Sequence, residues 1–556
     1  MTTEHPCRRL ARQPPLRRIA VVGAIVVVAM LVWGLFGPDV PIRVSRETTF
    51  LAKPLAADGL PDYRAAMLAA MGPVPKPEDN AAVELLQVMW PLGIQATDLP
   101  AVCKALGITD VAPVESLQEP SKEAAAEMHR VMFDPSGSRR PWAGAEFPEI
   151  EAWLVAQAVA LDRLVAAADR PRCWLPWPVL LGSESNVCQS WGPNMRCRDV
   201  ANTLCWRAMW HAGAGRNAAA WRDIRAVYRF SRLLADPTDV PPGASAFLHA
   251  FDTSAEADAA LTHGLLALPG LPAELLGEIR RHLDRLGPLS DPADLLGGER
   301  LRAIDWIAFL YRMPGGRTAR RQALEPIVLL VAADAAAPSW FEAMWRRMDS
   351  DDELAVRTSL DWNVALEWVN AYFDAADSAM RLPSHTARKA ALERLEKDFI
   401  LRSKWGAAGH FVKGIGSREF RSSFFGNSHL ISLYGYLDIS SRGQASFDLA
   451  RIAAALAAWK ADRANDNEPY PKTLDDLVPQ YLSAVPLDSF IEKPLLYERR
   501  GEGYLLASAG DNGAYDGGDD RNGWIVGGEW QESQQEVDRQ KSDIVVRIPV
   551  PTRAPR

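Results

Sequence analysis

The apolar and polar positions divide this chain into unlike parts. The first signal is an unbroken apolar run, IAVVGAIVVVAMLVWGLF, from Ile19 to Phe36. At about 1.5 Å per residue it reaches about 27 Å as a helix, the thickness of a thin hydrocarbon core. Pro38, Pro41, Pro54 and Pro61 then punctuate a segment that predicts an extended stalk over 37–61. From Asp62 apolar residues recur at helical spacing, first Ala65, Met67 and Leu68, then Ala81, Val83, Leu85, Leu86, Val88 and Met89. Further helical patterns cover 121–131, 149–168, 201–211, 217–235, 244–267, 272–286, 298–312 and 319–336. The pair 201–211 and 217–235, parted by Gly213 and Gly215, predicts an αα-hairpin. The longest helical pattern is Leu354–Arg381. Between helices, 170–198 reads as an irregular Trp- and Cys-rich insertion, and 403–443 as a linker or lid with two short strands. Gln444–Arg463 is an amphipathic helix with Leu449, Ile452, Leu456 and Trp459 on its apolar side. Beyond it, Thr473 and Asp476 form a capping-box pair. Leu495–Arg499 and Tyr504–Ala507 predict a hairpin around Gly501, and Asp543–Ile548 a further strand.

The expected fold class is therefore mainly α. It has an N-terminal transmembrane helix over 19–36, a large helical-bundle body over 62–402 and a small α+β module over 444–550. The flanking charges orient the anchor. Arg8, Arg9, Arg12, Arg17 and Arg18 face a single Glu4 in residues 1–18, so this basic tail stays cytoplasmic and the body is exported. A cleaved signal peptide is the alternative, but its apolar core would be about 7–15 residues and followed by small residues. Here Trp33-Gly34-Leu35-Phe36-Gly37-Pro38 follows the core, and Trp33 and Phe36 suit an interfacial belt. The expectation is a retained signal-anchor, single-pass, in the inner (cytoplasmic) membrane.

Composition is that of a globular chain, 48% hydrophobic and 24% charged. The net charge of −8 argues against nucleic acid, or an anionic lipid surface, as the main partner of the body. Cys173, Cys188, Cys197 and Cys205 are disulfide candidates in an oxidising compartment, with three connectivities open, and buried thiols are the alternative. Cys103 is left over, and no C-x-x-C spacing suggests zinc.

Chemistry is sparse. None of the common nucleophile, metalloprotease, phosphate-loop or dinucleotide motifs is present. Within 354–381, Asn363, Glu367, Asn370, Asp374 and Asp377 fall at steps of 4, 3, 4 and 3, one stripe of a helix. The stripe is either a solvated face or the acidic lining of a cleft. His410 and His429 read as structural, and Gly298-Glu299-Arg300 with Asp305 as an ion-pair site at a helix start.

The C-terminal segment carries a resemblance. Tyr470-Pro471, Pro486-Leu487-Asp488, Lys493-Pro494-Leu495, Tyr497, Gly503-Tyr504, Ser508-Ala509-Gly510 and the Gly/Asp-rich loop closing at Trp524 follow one order. That order is similar to the globular domain of the major pseudopilin of bacterial type II secretion systems. The resemblance covers about 80 residues. The rest departs from it: residues 1–36 lack the leader and membrane-helix sequence of a pseudopilin, so pilin-like processing and polymerisation are not expected. The whole chain resembles uncharacterised membrane-anchored bacterial proteins with such a tail. The resemblance implies a structural calcium ion in the last loop. Independently, Asp511, Asp516, Asp519 and Asp520 interleaved with Gly513, Gly517 and Gly518 offer hard oxygen ligands and tight turns for Ca²⁺. A solvated acidic turn is the plain alternative. The expected function is a structural or interaction protein of the cell envelope with a link to secretion and envelope or secretion proteins as partners. The alternative is an envelope hydrolase using Glu367 and Asp374.

Overall fold

The computed structural model describes residues 15–89, 99–109, 116–133, 140–176, 191–236, 244–313, 359–401, 418–419, 422–423, 433–463, 468–517 and 543–549. Among them the chain is mainly helical, with fifteen α-helices and one small sheet. Helix α1 spans Pro15–Phe36 and contains the apolar run. Its described side chains, Val22 through Met30 with Val32, Trp33 and Phe36, are exposed. Among the described residues no helix is long and apolar enough to cross a membrane. In α1 the side chains of 15–21, 31, 34 and 35 are outside the described set.

The body opens with α2 (Tyr63–Ala70) and α3 (Ala81–Val88). Short polar residues cap both starts: Asp62 Oδ1 accepts from the Ala65 amide, and Asn80 Oδ1 from the Ala82 amide. Asn80 is fully buried and also ties α3 to a distant strand-like segment, accepting from Trp174 N and donating to Trp174 O, both at 2.9 Å. Next come α4 (Leu99–Leu106), α5 (Lys122–Phe133), α6 (Pro148–Ala156) and α7 (Ala158–Ala168). The pattern over 149–168 is thus two helices broken at Gln157, whose side chain accepts from the Gln118 amide.

The αα-hairpin is present as α8 (Trp191–Gly213) and α9 (Asn217–Leu234). Helix α8 begins ten residues before the expected Ala201, inside the predicted irregular insertion. A buried bidentate pair locks the hairpin: Arg207 Nε and Nη2 donate to the two carboxylate oxygens of Asp223, each at 2.8 Å. Helices α10 (Ala244–Ala259), α11 (Ala273–Leu286) and α12 (Leu296–Arg312) match their predicted spans, except that α10 passes into one π turn at Ala260–Gly264. The remaining helices are α13 (Trp362–Met380), α14 (His385–Leu401) and α15 (Tyr434–Asp462). The expected helix at 319–336 lies outside the described residues.

Two of these bounds differ from the sequence reading. Helix α13 starts at Trp362, because Asp361 is extended and caps it through the Asn363 amide. The longest helix is α15, 29 residues from Tyr434, not α13. Ten residues assigned to the linker, 434–443, are helical. Gly443 weakens the helical signal there, yet its missing side chain is what lets α15 lie against the Phe251 ring.

Apolar packing forms two cores. The first joins α3–α11 with Phe447–Ala458 of α15 and with Tyr470, Leu474, Tyr504, Leu506 and Val546. The second joins α12, α13 and α14 with Tyr63, Leu433 and Leu437. Helix α15 therefore runs through both, and neither core divides at 402 or 444. The C-terminal sheet is antiparallel in the order β1 (Leu496–Arg500), β2 (Gly503–Ser508), β3 (Ile544–Ile548). The hairpin turns at Gly501, φ +58°, a conformation open to glycine. The predicted cap appears too, Thr473 N donating to Asp476 Oδ2 at 2.9 Å.

Candidate functional site

The polar stripe of α13 is the first candidate, and it splits into two halves. Its amides face inward and hold the segment that leaves α1. Asn363 is buried, donates to the Pro41 carbonyl at 2.9 Å and accepts from the Arg43 amide at 2.8 Å. Asn370 is also buried and donates to the carbonyls of Glu47 at 2.9 Å and Thr48 at 2.7 Å. Just before α13, Val40 N bonds to Leu360 O, while Asp39 accepts from Leu360 N and from Trp362 Nε1. At the far end Tyr63 OH donates to Thr49 O at 2.7 Å, and the Arg300 guanidinium lies 4.5 Å over the Phe50 ring. Phe50 has φ +59°, an uncommon value for an aromatic residue, and these contacts hold it there. The predicted stalk is thus a strap laid along α13.

The acids of the stripe face outward. Glu367 is exposed, Asp374 is exposed and pairs with Arg300 at 2.6 Å, and Asp377 pairs with Arg381 one turn on. The structure does not gather Glu367 and Asp374 into a cleft. In the Gly298–Asp305 cluster, buried Glu299 accepts from Arg302 Nε at 2.8 Å. Burial pushes Asp305 up to about 6, against the pull of Arg64 and Arg312.

The acidic loop is described only in part. Asp511 Oδ1 accepts from Arg442 Nη2 at 3.0 Å, and Asp516 Oδ2 from Asn512 Nδ2 at 2.7 Å. The Asp516 amide donates to the Asp543 carboxylate at 3.0 Å. Asp519 and Asp520 lie outside the described residues. Among the described residues no three carboxylate, His or Cys side chains form a metal-holding group. An arginine beside Asp511 opposes a cation there. Cys103, Cys173 and Cys205 are buried. Cys188 and the side chain of Cys197 are outside the described set, as are His410 and His429.

A second polar cluster, which the sequence reading missed, lies where α14, α15 and the module meet. His385 Nδ1 and Ser441 Oγ are 2.7 Å apart, the His385 amide donates to Glu492 Oε1 at 2.8 Å, and Ser489 Oγ donates to the Ser441 carbonyl at 2.7 Å. Arg442 bridges Asp438 and Asp511, and Lys389 Nζ reaches the Asp511 carbonyl at 3.3 Å. Burial holds His385 below the usual histidine range, with Asp438 and Glu492 opposing and Lys389 and Arg388 assisting. Ser441 is buried in the packed face of α15, so the contact is a docking bond between elements. No local pattern announces it, because its members are 56 residues apart.

Behind this seam, a buried group sits among α9, α10 and α15. Asp258 Oδ1 accepts from Tyr228 OH at 2.7 Å, while Oδ2 has no hydrogen-bond partner. Burial pushes its carboxyl up to about 7, with Tyr228 and Arg232 pulling down and Asp448 pushing up. Arg232 stacks 4.7 Å over Phe447 of α15 and donates to Ser231 and to the Gly287 carbonyl.

The arrangement defines a mainly α protein with a strapped N-terminal helix and a small docked sheet. Compared with protein families, with curated proteins and with solved structures, the chain matches none.

Proposed function

We propose that this chain is a membrane-anchored, extracytoplasmic structural or interaction protein of the bacterial cell envelope. The observation that carries the reading is the strap. A chain leaving a membrane helix and bonded at once along α13 holds the body at a set distance from the bilayer, which is what a scaffold needs and a tethered enzyme does not. The arginines of the N-terminal tail place that end in the cytoplasm and the body outside. Asp374 and Asp377 are ion-paired and Glu367 and Asp374 are exposed, which favours the scaffold reading over a hydrolase on that helix.

A link to secretion rests on the pseudopilin-like order of residues in the module. Reporter fusions at residue 60 test the topology: an active periplasmic reporter and a silent cytoplasmic one are expected, and the reverse pattern ends the proposal. Affinity capture from solubilised membranes tests the partner, with envelope or secretion components expected in the eluate. Calcium binding at Asp516, Asp519 and Asp520 remains part of the proposal through the composition of the loop. Thermal melting of the full chain decides it. A bound ion at 100 times its Kd adds about 2.7 kcal/mol, and superimposable curves with calcium and with chelator remove the ion.

A further inference from the structure

The outer end of α1 carries a shallow, widely open apolar groove that neither the strap nor the seam uses. Val26, Ala29, Met30 and Trp33 line its floor, and Arg418 forms its upper wall. The four α1 residues are spaced by three and four positions, so they share one face. Across the seven steps from Val26 to Trp33 that face rises about 10 Å. The wall is built, not incidental. Arg418 Nε donates to Ser359 Oγ at 3.1 Å, and Nη2 reaches the Trp33 carbonyl at 3.5 Å. The Arg418 carbonyl accepts from Ser422 Oγ, which in turn accepts from the Asp361 amide at the start of α13. Gly37 makes the approach possible. A Cβ at that position would press on the Trp33 carbonyl and lie 3.3 Å from Arg418 Nη2. The guanidinium is thereby fixed at the negative end of the α1 dipole, beside the last apolar turn.

The geometry points to a binding site for one anionic membrane phospholipid, with an acyl chain along Val26, Ala29, Met30 and Trp33 and the headgroup phosphate on Arg418. This rests on α1 being a membrane anchor. The groove joins two chemistries that a lipid joins: an apolar floor and a planar cation suited to phosphate oxygens. A soluble phosphate would leave the floor bare. Trp33 sits where tryptophans favour the membrane interface, level with a headgroup. The body is acidic overall, so this is one local cation for one headgroup and not a basic surface for a bilayer.

The test uses the full chain. Alkaline carbonate washing of membranes comes first. Retention in the pellet is expected, and release into the wash overturns the anchor and this site with it. Delipidated protein in detergent is then titrated with phosphatidylglycerol or phosphatidylcholine of equal acyl length and read by native mass spectrometry. One phosphatidylglycerol should bind roughly tenfold more tightly than phosphatidylcholine, because both offer a phosphate to Arg418 but the choline cation of the latter offsets its charge and repels the guanidinium. Arg418→Gln should erase that preference, and Arg418→Lys should keep most of it, which separates charge from misfolding. Ala29→Phe, filling the floor without touching Ser359, should weaken both lipids. Pellet retention combined with equal affinity for the two lipids, or with a preference that survives both Arg418→Gln and Ala29→Phe, overturns the lipid site and leaves the anchor standing.

Discussion

The body is held at two ends by different chemistry. Along α13 the strap is fastened by the neutral amides of Asn363 and Asn370 on backbone carbonyls, with the Asp39 carboxylate at its start and an Arg312–Asp58 ion pair beyond its end. At the C-terminal end the seam is fastened by titratable and charged ones, among them His385 on Ser441 and Arg442 between Asp438 and Asp511. A buried amide bonded to backbone keeps its charge state at any pH and is little screened by salt. A seam of partly exposed ion pairs responds to both. The amide contacts of the strap are therefore the less pH- and salt-sensitive joint and the module side the more sensitive one.

The largest effect should come from α15, which serves both cores. Phe447→Ala removes a fully buried ring packed edge-on against Tyr228 and beneath Arg232. It should cost about 3–5 kcal/mol in denaturant unfolding of the full chain. A loss below about 1 kcal/mol would mean that α15 does not join the cores.

Asn363→Ala should cost about 2–3 kcal/mol, since it removes one donor and one acceptor and strands the Arg43 amide and the Pro41 carbonyl. The loss should be the same at pH 5.5 and pH 8 and at low and high salt. A loss that varies with either condition would break the comparison at its neutral end.

Acid titration sharpens the other end. The folded carboxyl of Asp258 lies near 7, above its unfolded value, so the folded state holds that proton more tightly. Its stabilising contribution is complete below the unfolded value and is lost as pH rises toward 7. Buried His249 and half-buried His211 and His282, each pushed down to about 4 by desolvation with nearby arginines assisting, act oppositely and lose stability as pH falls. The difference between wild type and Asp258→Asn isolates the carboxyl. Between pH 4 and pH 7 wild type should lose about 3–4 kcal/mol relative to the variant. Parallel pH profiles would show Asp258 charged in the folded state.

The smallest effect belongs to the seam's ion pair. Arg442→Gln should cost about 0.5–1 kcal/mol, because both Arg442 and Asp511 are about one quarter exposed and water screens them. The cost should shrink at 1 M salt, and a salt-independent loss would assign the residue a packing role instead.

Most helices were legible because their apolar positions repeat every three or four residues, with Asp62 marking one start. The caps at Asn80 and Asp361 were not legible in this way, and the sequence pattern for α13 begins early, at Leu354. The hairpin at Gly501 was legible for the same local reason. The stripe on α13 was legible as a stripe. Its use was not, because Asn and Asp look alike in a polar pattern while only the amides could be buried without a counter-charge.

By itself, then, the sequence determined what local periodicity and charge can carry: an apolar helix flanked by arginines, a helical body, a small hairpin-based module and an acidic final loop. Tertiary structure alone decided that the stalk is a strap, that α15 starts at Tyr434 and threads both cores, and that His385 meets Ser441. Those outcomes depend on contacts between residues 56 to more than 300 positions apart. Such contacts leave no trace in spacing, since a hydrogen bond or a packed ring needs proximity in space and not along the chain.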